Sequence, residues 1–177
     1  MGRLNDMSLV AQVAVLGNKR AFDQIVRQYQ SDVRRFFLSQ TLGNETLSDD
    51  LAQDTFIKAY THIGQYRGTS SLLTWITRIA YNVWYDYKRS IRTEAPYSEM
   101  VLSVSHTSDC MLKDDIYRAL ALLREEERTC ITLQLIDGYA IDEIAKITDM
   151  PQNTVKSHLK RGKDKLTEYL RQNGYDR

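Results

Sequence analysis

GYAIDEIAKITDMPQNTVKSHLKRGKDKLTEYL, residues Gly138 to Leu170, is the stretch whose reading decides the fold. A short helix is expected from Ile141 to about Thr148, carrying Ile144, Ala145 and Ile147. The turn Asp149-Met150-Pro151 follows, with Pro151 suited to the first position of the next helix, where its missing N–H costs nothing. In that second helix Val155, Leu159, Leu166 and Leu170 fall within one narrow arc at about 100° per residue. Asn153, Lys156, Ser157, Lys160, Arg161 and Lys163 occupy the remainder. A helix of this kind packs by one edge and offers the other to a major groove. The segment reads as a helix-turn-helix, and the partner class it implies is DNA.

Bulk charge hides that partner. The chain has 24 basic and 23 acidic side chains and a net charge of +1, which argues for neither nucleic acid nor a membrane surface. The charges are segregated, however. Gln152 to Lys165 holds five basic residues and one acidic, a net +4, whereas Glu45 to Asp54 holds four acidic residues and no basic ones. A local basic footprint is what groove binding requires, and a distant acidic patch suggests a second, basic partner. The plainer alternative is that both are solvated helix faces.

A chain of 177 residues suits one ordinary domain or two small ones. No signal peptide is expected at Met1, where Arg3, Asn5 and Asp6 interrupt any apolar core, and no apolar run approaches the roughly 20 residues of a membrane span. Cys110 and Cys130 lie twenty positions apart without a C-x-x-C. A reduced, cytoplasmic protein without membrane insertion is the economical expectation.

Outward from the helix-turn-helix, the apolar spacing is helical almost throughout, and the fold class expected is all-α. A first helix is expected over about Ser8 to Leu16, stopping at Gly17-Asn18. A long one follows over about Lys19 to Gln40, with Phe22, Ile25, Val26, Tyr29, Val33, Phe36 and Phe37 at helical spacing. After Gly43-Asn44, Ser48 is a plausible N-cap, with Asp49 and Asp50 favourable to the helix dipole. That helix continues to roughly Gly64. The segment Gln65 to Ser71 reads as a loop, and a further helix runs from about Leu72 to Arg92. Thr93 to about Asp109 is rich in Ser and Thr, contains Pro96 and shows no sustained period, which reads as a linker. Beyond it Ile116, Leu120 and Leu123 mark a helix, and Cys130, Ile131, Leu133, Leu135 and Ile136 another. The expected architecture is two small helical domains, residues 1–92 and 113–177, joined by a flexible linker over 93–112, with the helix-turn-helix in the second.

The segment Trp75 to Arg92 is the second unusual one. Trp75, Arg78, Asn82, Tyr85 and Arg89 fall inside an arc of about 80°, beside an aliphatic arc of Leu72, Ile76, Ile79 and Val83. Aromatics stack on unpaired bases, Arg holds phosphates and Asn reads a base edge, so the mixed arc suits a helix that packs and also touches nucleic acid. Enzyme chemistry finds no foothold. His62, His106 and His158 are scattered without metal-ligand spacing, and there is no phosphate-binding Gly loop, G-x-S-x-G or H-E-x-x-H. No catalytic residue, metal site or cofactor is expected.

These residues carry a resemblance. AFDQIVRQYQSDVRRF (Ala21–Phe36), DLAQDTFIKAY (Asp50–Tyr60), YRGTSSLLTWITRIAYNVWYDYKR (Tyr66–Arg89) and TVKSHLKRGKDKL (Thr154–Leu166) stand in an order that resembles the extracytoplasmic-function sigma factors, small promoter-specificity subunits of bacterial RNA polymerase. The D-x-x-Q-D-x-F run followed by T-W-I-x-R-I-A-x-N is highly specific, whereas a helix-turn-helix alone would be weak. The resemblance implies that Asp50, Gln53, Asp54 and Phe56 dock on core polymerase. It implies that Tyr66, Arg67, Trp75, Arg78, Asn82, Tyr85 and Arg89 recognise and open the −10 element. It assigns Asn153, Thr154, Lys156, Ser157, Lys160 and Arg161 to the −35 element. Core RNA polymerase and promoter DNA are the partners it implies, and an anti-sigma factor is usual for the family.

Three positions depart from the family pattern: Ala140 where a capping Ser is common, Arg124 where Pro is usual, and His158 where Arg is common. The rival expectation is a conventional helix-turn-helix regulator that acts without being a polymerase subunit. It would bind a two-fold symmetric operator tightly on its own.

Overall fold

A computed structural model describes residues 2–94 and 111–175, and every regular element among them is helical. Eight α-helices follow one another: α1 Gly2–Leu16, α2 Lys19–Gln40, α3 Glu45–His62, α4 Leu72–Glu94, α5 Met111–Ala121, α6 Glu125–Ile131, α7 Ile141–Thr148 and α8 Gln152–Gln172. Most of the expected linker, residues 95–110, lies outside the described residues, and so does Cys110. The chain divides into two compact units, Met1–Phe37 with Thr46–Glu99 and Leu38–Glu45 with Met100–Arg177.

Local chemistry sets the helix ends. Asn18 caps α2, its Oδ1 accepting the N–H groups of Arg20 at 3.1 Å and Ala21 at 3.3 Å. Ser71 caps α4 by accepting the Thr74 N–H at 3.0 Å. The expected cap at Ser48 is not one: α3 already begins at Glu45, and Ser48 lies buried inside it. Leu42 and Gly43 take positive φ values of 56° and 88°, so the chain has reversed before Asn44 and the helix starts at once. The first helix likewise begins at Gly2, six residues earlier than its apolar spacing indicated.

In the first unit, Ile25, Val33, Phe36 and Phe37 of α2 form the core with Leu51 and Ala59 of α3 and with Leu72, Ile76, Ala80 and Val83 of α4. Helix α1 adds Leu9, Val10 and Val13 and packs beside the short 3₁₀ turn Ile63–Gln65. One buried carboxylate ties α1 down: Asp6 accepts the Tyr29 hydroxyl at 2.8 Å and the Gln28 amide at 3.2 Å. Burial and that neighbouring carboxylate push the Tyr29 phenol up from its usual value, so it serves as a donor.

The second unit is centred on α6. Its buried Arg128 donates to the carbonyls of Leu120 at 2.9 Å and Leu123 at 3.1 Å, satisfying the open C-terminal end of α5. Beyond Ile131 the helix widens into a π-turn, Thr132–Ile136, and Gly138 at φ +78° ends it. Leu135 and Ile136, which mark a helix in the sequence, lie in this widened turn and are 55% and 38% exposed. Helix α8 packs across both α6 and α7 through Val155 and Leu159. Leu166 is half-buried and Leu170 exposed, so the apolar arc read from the sequence holds only over the first half of α8.

Gly162 lies at a close approach of α8 to α6. A Cβ there would lie 2.7 Å from Ile131 Cγ1. Gly162→Val is therefore expected to destabilise the second unit by about 1–3 kcal/mol through overpacking. Thermal unfolding followed by circular dichroism checks this, and an unshifted transition would show that the interface opens freely.

Candidate nucleic-acid and partner-binding surfaces

Three surfaces carry the residues singled out from the sequence. On α3, Asp50, Gln53 and Asp54 are exposed, whereas Phe56 is buried at 8%. Phe56 belongs to the wall of a groove of about 650 Å³ between α2 and α3, shared by Val26, Gln30, Arg34, Gln53 and Ile57. It therefore shapes the surface from beneath and does not project from it. The residue that does project is Ile57, 63% exposed. The sequence reading missed it, although a large aliphatic directly after the D-x-x-Q-D-x-F run was the available signal. The acidic residues are not equivalent either. Asp49 is neutralised by Arg34 at 2.6 Å, whereas Asp50 and Asp54 have no ion pair among the described residues. The uncompensated negative charge is theirs.

The second surface is the outer face of α4 with the loop before it. Arg78, Asn82, Tyr85 and Arg89 are all exposed, Tyr85 at 51%, and Arg67 is exposed in the loop. Trp75 is half-buried, its ring 5.7 Å from that of Tyr66. Tyr66 itself is 9% exposed and donates its hydroxyl to the Ser70 carbonyl at 2.7 Å. It is a strut inside the loop in this conformation, with no free face for a base. Gly68 takes φ +71°, and a Cβ there would sit 3.2 Å from Met7 Sδ, so α1 braces the same loop. Two charged residues not foreseen from the sequence join this face. Asp86 accepts Arg89 at 2.9 Å and Lys58 of α3 at 3.3 Å, bringing a third cation beside Arg78 and Arg89.

The third surface is α8. Asn153, Lys156, Ser157, Lys160 and Arg161 are exposed and Thr154 is half-buried. Ser157 donates to its own helix at Asn153 O, 2.9 Å, which leaves its oxygen free to accept. Lys156, Lys160 and Lys163 surround a concavity of about 350 Å³ whose floor includes Ile141 and Leu159. Arg161 differs from the rest: its guanidinium lies 3.3 Å from His158 Nδ1 and 3.8 Å from Glu127. Pro151 stands just before the helix, as its N-cap, and Asp149 makes the turn at φ +57°. At the start of α7, Ala140 has no side chain to cap with, but its N–H is taken by Glu143 at 3.0 Å.

None of the three surfaces is arranged for bond-breaking chemistry. Cys130 is buried, and burial pushes its thiol up to about 12, which leaves it unreactive at neutral pH. Among the described residues no group of three or more His, Cys, Asp and Glu side chains could hold a metal ion, and no helix is long and apolar enough to cross a membrane.

Comparison with known proteins matches these units to two descriptions: Sigma-70 region 2 over residues 25–94, and Sigma-70 region 4 over residues 113–166. The chain is 29% identical to the ECF RNA polymerase sigma-E factor of Escherichia coli K12, with 93% of each chain covered. It is also 29% identical to the RNA polymerase sigma-H factor of Pseudomonas aeruginosa, again over 93% of each. Among solved structures it resembles the sigma factor RpoE of Bartonella quintana in complex with the anti-sigma factor NepR, at 25% identity and a TM-score of 0.75, covering 88% of this chain and 98% of that one. It also resembles CnrH in complex with the cytosolic domain of CnrY, at 26% identity and a TM-score of 0.70, covering 94% and 97%.

Proposed function

Because the chain belongs to the extracytoplasmic-function group of the sigma-70 family of RNA polymerase sigma factors, we propose that its three surfaces divide the work of promoter use. The chain is a transcription initiation factor that binds core RNA polymerase and promoter DNA, and it is not an enzyme. The rival of a conventional helix-turn-helix regulator fails because its first unit is Sigma-70 region 2. Asp50, Gln53 and Asp54 meet a basic helical surface of the core enzyme, with Ile57 in the apolar contact beside them and Phe56 supporting the wall. Arg67, Trp75, Arg78, Asn82, Tyr85 and Arg89 engage the −10 element and Tyr66 holds the loop for them. Asn153, Thr154, Lys156, Ser157, Lys160 and Arg161 engage the −35 element. Residues 1–92 act as the first functional domain and 113–177 as the second. The protein works in the cytoplasm, where polymerase is, and an anti-sigma protein holds it inactive.

The observation that carries this division is the outward face of α4. Its exposed Arg78 and Asn82 have no hydrogen bond or ion pair among the described residues, and Tyr85, whose ring meets Tyr81 at 5.7 Å, is still 51% exposed, so a role outside the fold accounts for them. Promoter-specific transcription with added core polymerase tests the reading as a whole. Transcripts that start equally from scrambled −10 and −35 elements would overturn it.

On α8 the roles separate by salt dependence. Lys160→Ala removes one exposed cation and is expected to flatten the log–log salt slope of holoenzyme binding by about 0.9, without altering sequence preference. Arg161→Ala should flatten it by less, since Glu127 already shares that charge. Ser157→Ala should relax discrimination at one base pair of the −35 element by roughly 1–3 kcal/mol with little change of slope. Equilibrium binding at several salt concentrations checks all three. A change of sequence preference in Lys160→Ala would reassign that lysine to base reading.

A further inference from the structure

Glu127 of α6 is a buried carboxylate, its side chain 2% exposed, placed directly under α8. Its Oε2 accepts Lys165 Nζ at 2.7 Å and the Arg124 N–H at 3.1 Å, and its Oε1 faces Arg161 Nε at 3.8 Å. Lys165 and Arg161 stand on α8 one turn apart, on either side of Gly162, where α8 comes close to α6. Both cations belong to the +4 segment Gln152–Lys165, and Arg161 is among the residues placed on the −35 element in the function proposed above, on which this inference rests.

A phosphate competing for Lys165 would have to leave Glu127 charged, buried and without its principal partner. Such a separation is strongly unfavourable. Lys165 is therefore retained by the protein when DNA arrives, and Arg161 is retained in part. The remaining cations of the segment, Lys156, Lys160 and Lys163, have no partner carboxylate among the described residues. A recognition helix with every cation free would bind any duplex through its phosphates, because that attraction carries no sequence information.

We propose that Glu127 is a specificity-determining residue that withholds Lys165, and partly Arg161, from the DNA backbone. It lowers sequence-independent binding and so raises the ratio of −35 to random-sequence affinity. Glu127 acts through the α8 cations and does not itself touch DNA.

Glu127→Gln keeps the volume and an acceptor for the Arg124 N–H but removes the charge. In holoenzyme reconstituted with this variant, the log–log salt slope on a duplex with a scrambled −35 element is expected to steepen by about one to two units, about 0.9 for each cation released. Affinity for that duplex should rise about fivefold or more near 0.1 M salt, and −35 discrimination should fall correspondingly. The double variant Glu127→Gln with Lys165→Met should return the slope towards the wild-type value, which loss of packing alone would not do. A wild-type slope and wild-type random-duplex affinity in Glu127→Gln, with helical circular dichroism intact, would overturn the proposal. If Glu127→Gln does not fold, Lys165→Met alone decides: an unchanged slope supports the proposal, and a slope flattened by about 0.9 refutes it. Failure of wild-type holoenzyme to distinguish the promoter from the scrambled duplex would instead defeat the sigma-factor division of labour.

Discussion

Reversing both charges, Asp50→Arg with Asp54→Arg, is expected to abolish retention on immobilised core polymerase while the helix that carries them persists. The two carboxylates are the exposed acids of α3 that have no ion pair among the described residues, unlike Asp49, which Arg34 already neutralises. A basic partner surface would see them undiminished. Close charge pairs across an interface couple by about 1.5–7 kcal/mol, so two reversals should weaken association by at least ~3 kcal/mol, more than a hundredfold. The fold has little reason to respond. Asp50 and Asp54 stand at i and i+4 and already repel, and two arginines repel similarly. Asp49→Arg is the informative contrast: it puts a like charge where Arg34 has a carboxylate at 2.6 Å, so it should cost stability. Pull-down of the folded double variant against core polymerase, with circular dichroism as control, measures the effect. Wild-type retention would remove α3 from the docking surface.

How far the sequence could be read depended on the kind of signal. Helix α2 from Lys19 to Gln40 and helix α7 from Ile141 to Thr148 end where the sequence indicated, because Asn18, Gly138 and Pro151 punctuate the chain where the apolar period stops. Helix α3 starts at Glu45 and not at Ser48, since a good capping residue is visible in sequence and the left-handed backbone of Leu42 is not. Motif likeness located positions without orienting them. The resemblance assigns Phe56 and Tyr66 to contacts, and the structure buries the first in a groove wall and bonds the second to its own loop. Glu127 is one of three consecutive acids, Glu125 to Glu127, at the start of α6. Its pairing with Lys165, 38 positions away, has no periodic signature and needs the crossing of α6 and α8 to become apparent.

The same distinction decides which variant tests promoter melting. Asn82→Ala is the cleanest, because Asn82 is exposed on α4 and no hydrogen bond among the described residues holds its amide. Alanine also has the higher helix propensity, so α4 should be no less stable after the change. Any loss must then come from what the amide meets outside the fold. Tyr66→Ala mixes two losses, the ring packed on Trp75 and the bond to Ser70, and would disturb the loop whether or not DNA touches it. Arg89→Ala is muted in another way, since Asp86 already offsets that charge. We expect Asn82→Ala to leave initial promoter binding near the wild-type level and to disfavour the open complex by roughly 1–3 kcal/mol, the scale of a single base contact. That is about a 5- to 150-fold shift in the melting equilibrium. Permanganate reactivity of thymines near the start site, compared at equal promoter occupancy, reports it. If reactivity stays at the wild-type level, the exposed amide of α4 has no part in holding the melted strand, and Arg78 and Tyr85 beside it become the residues to test.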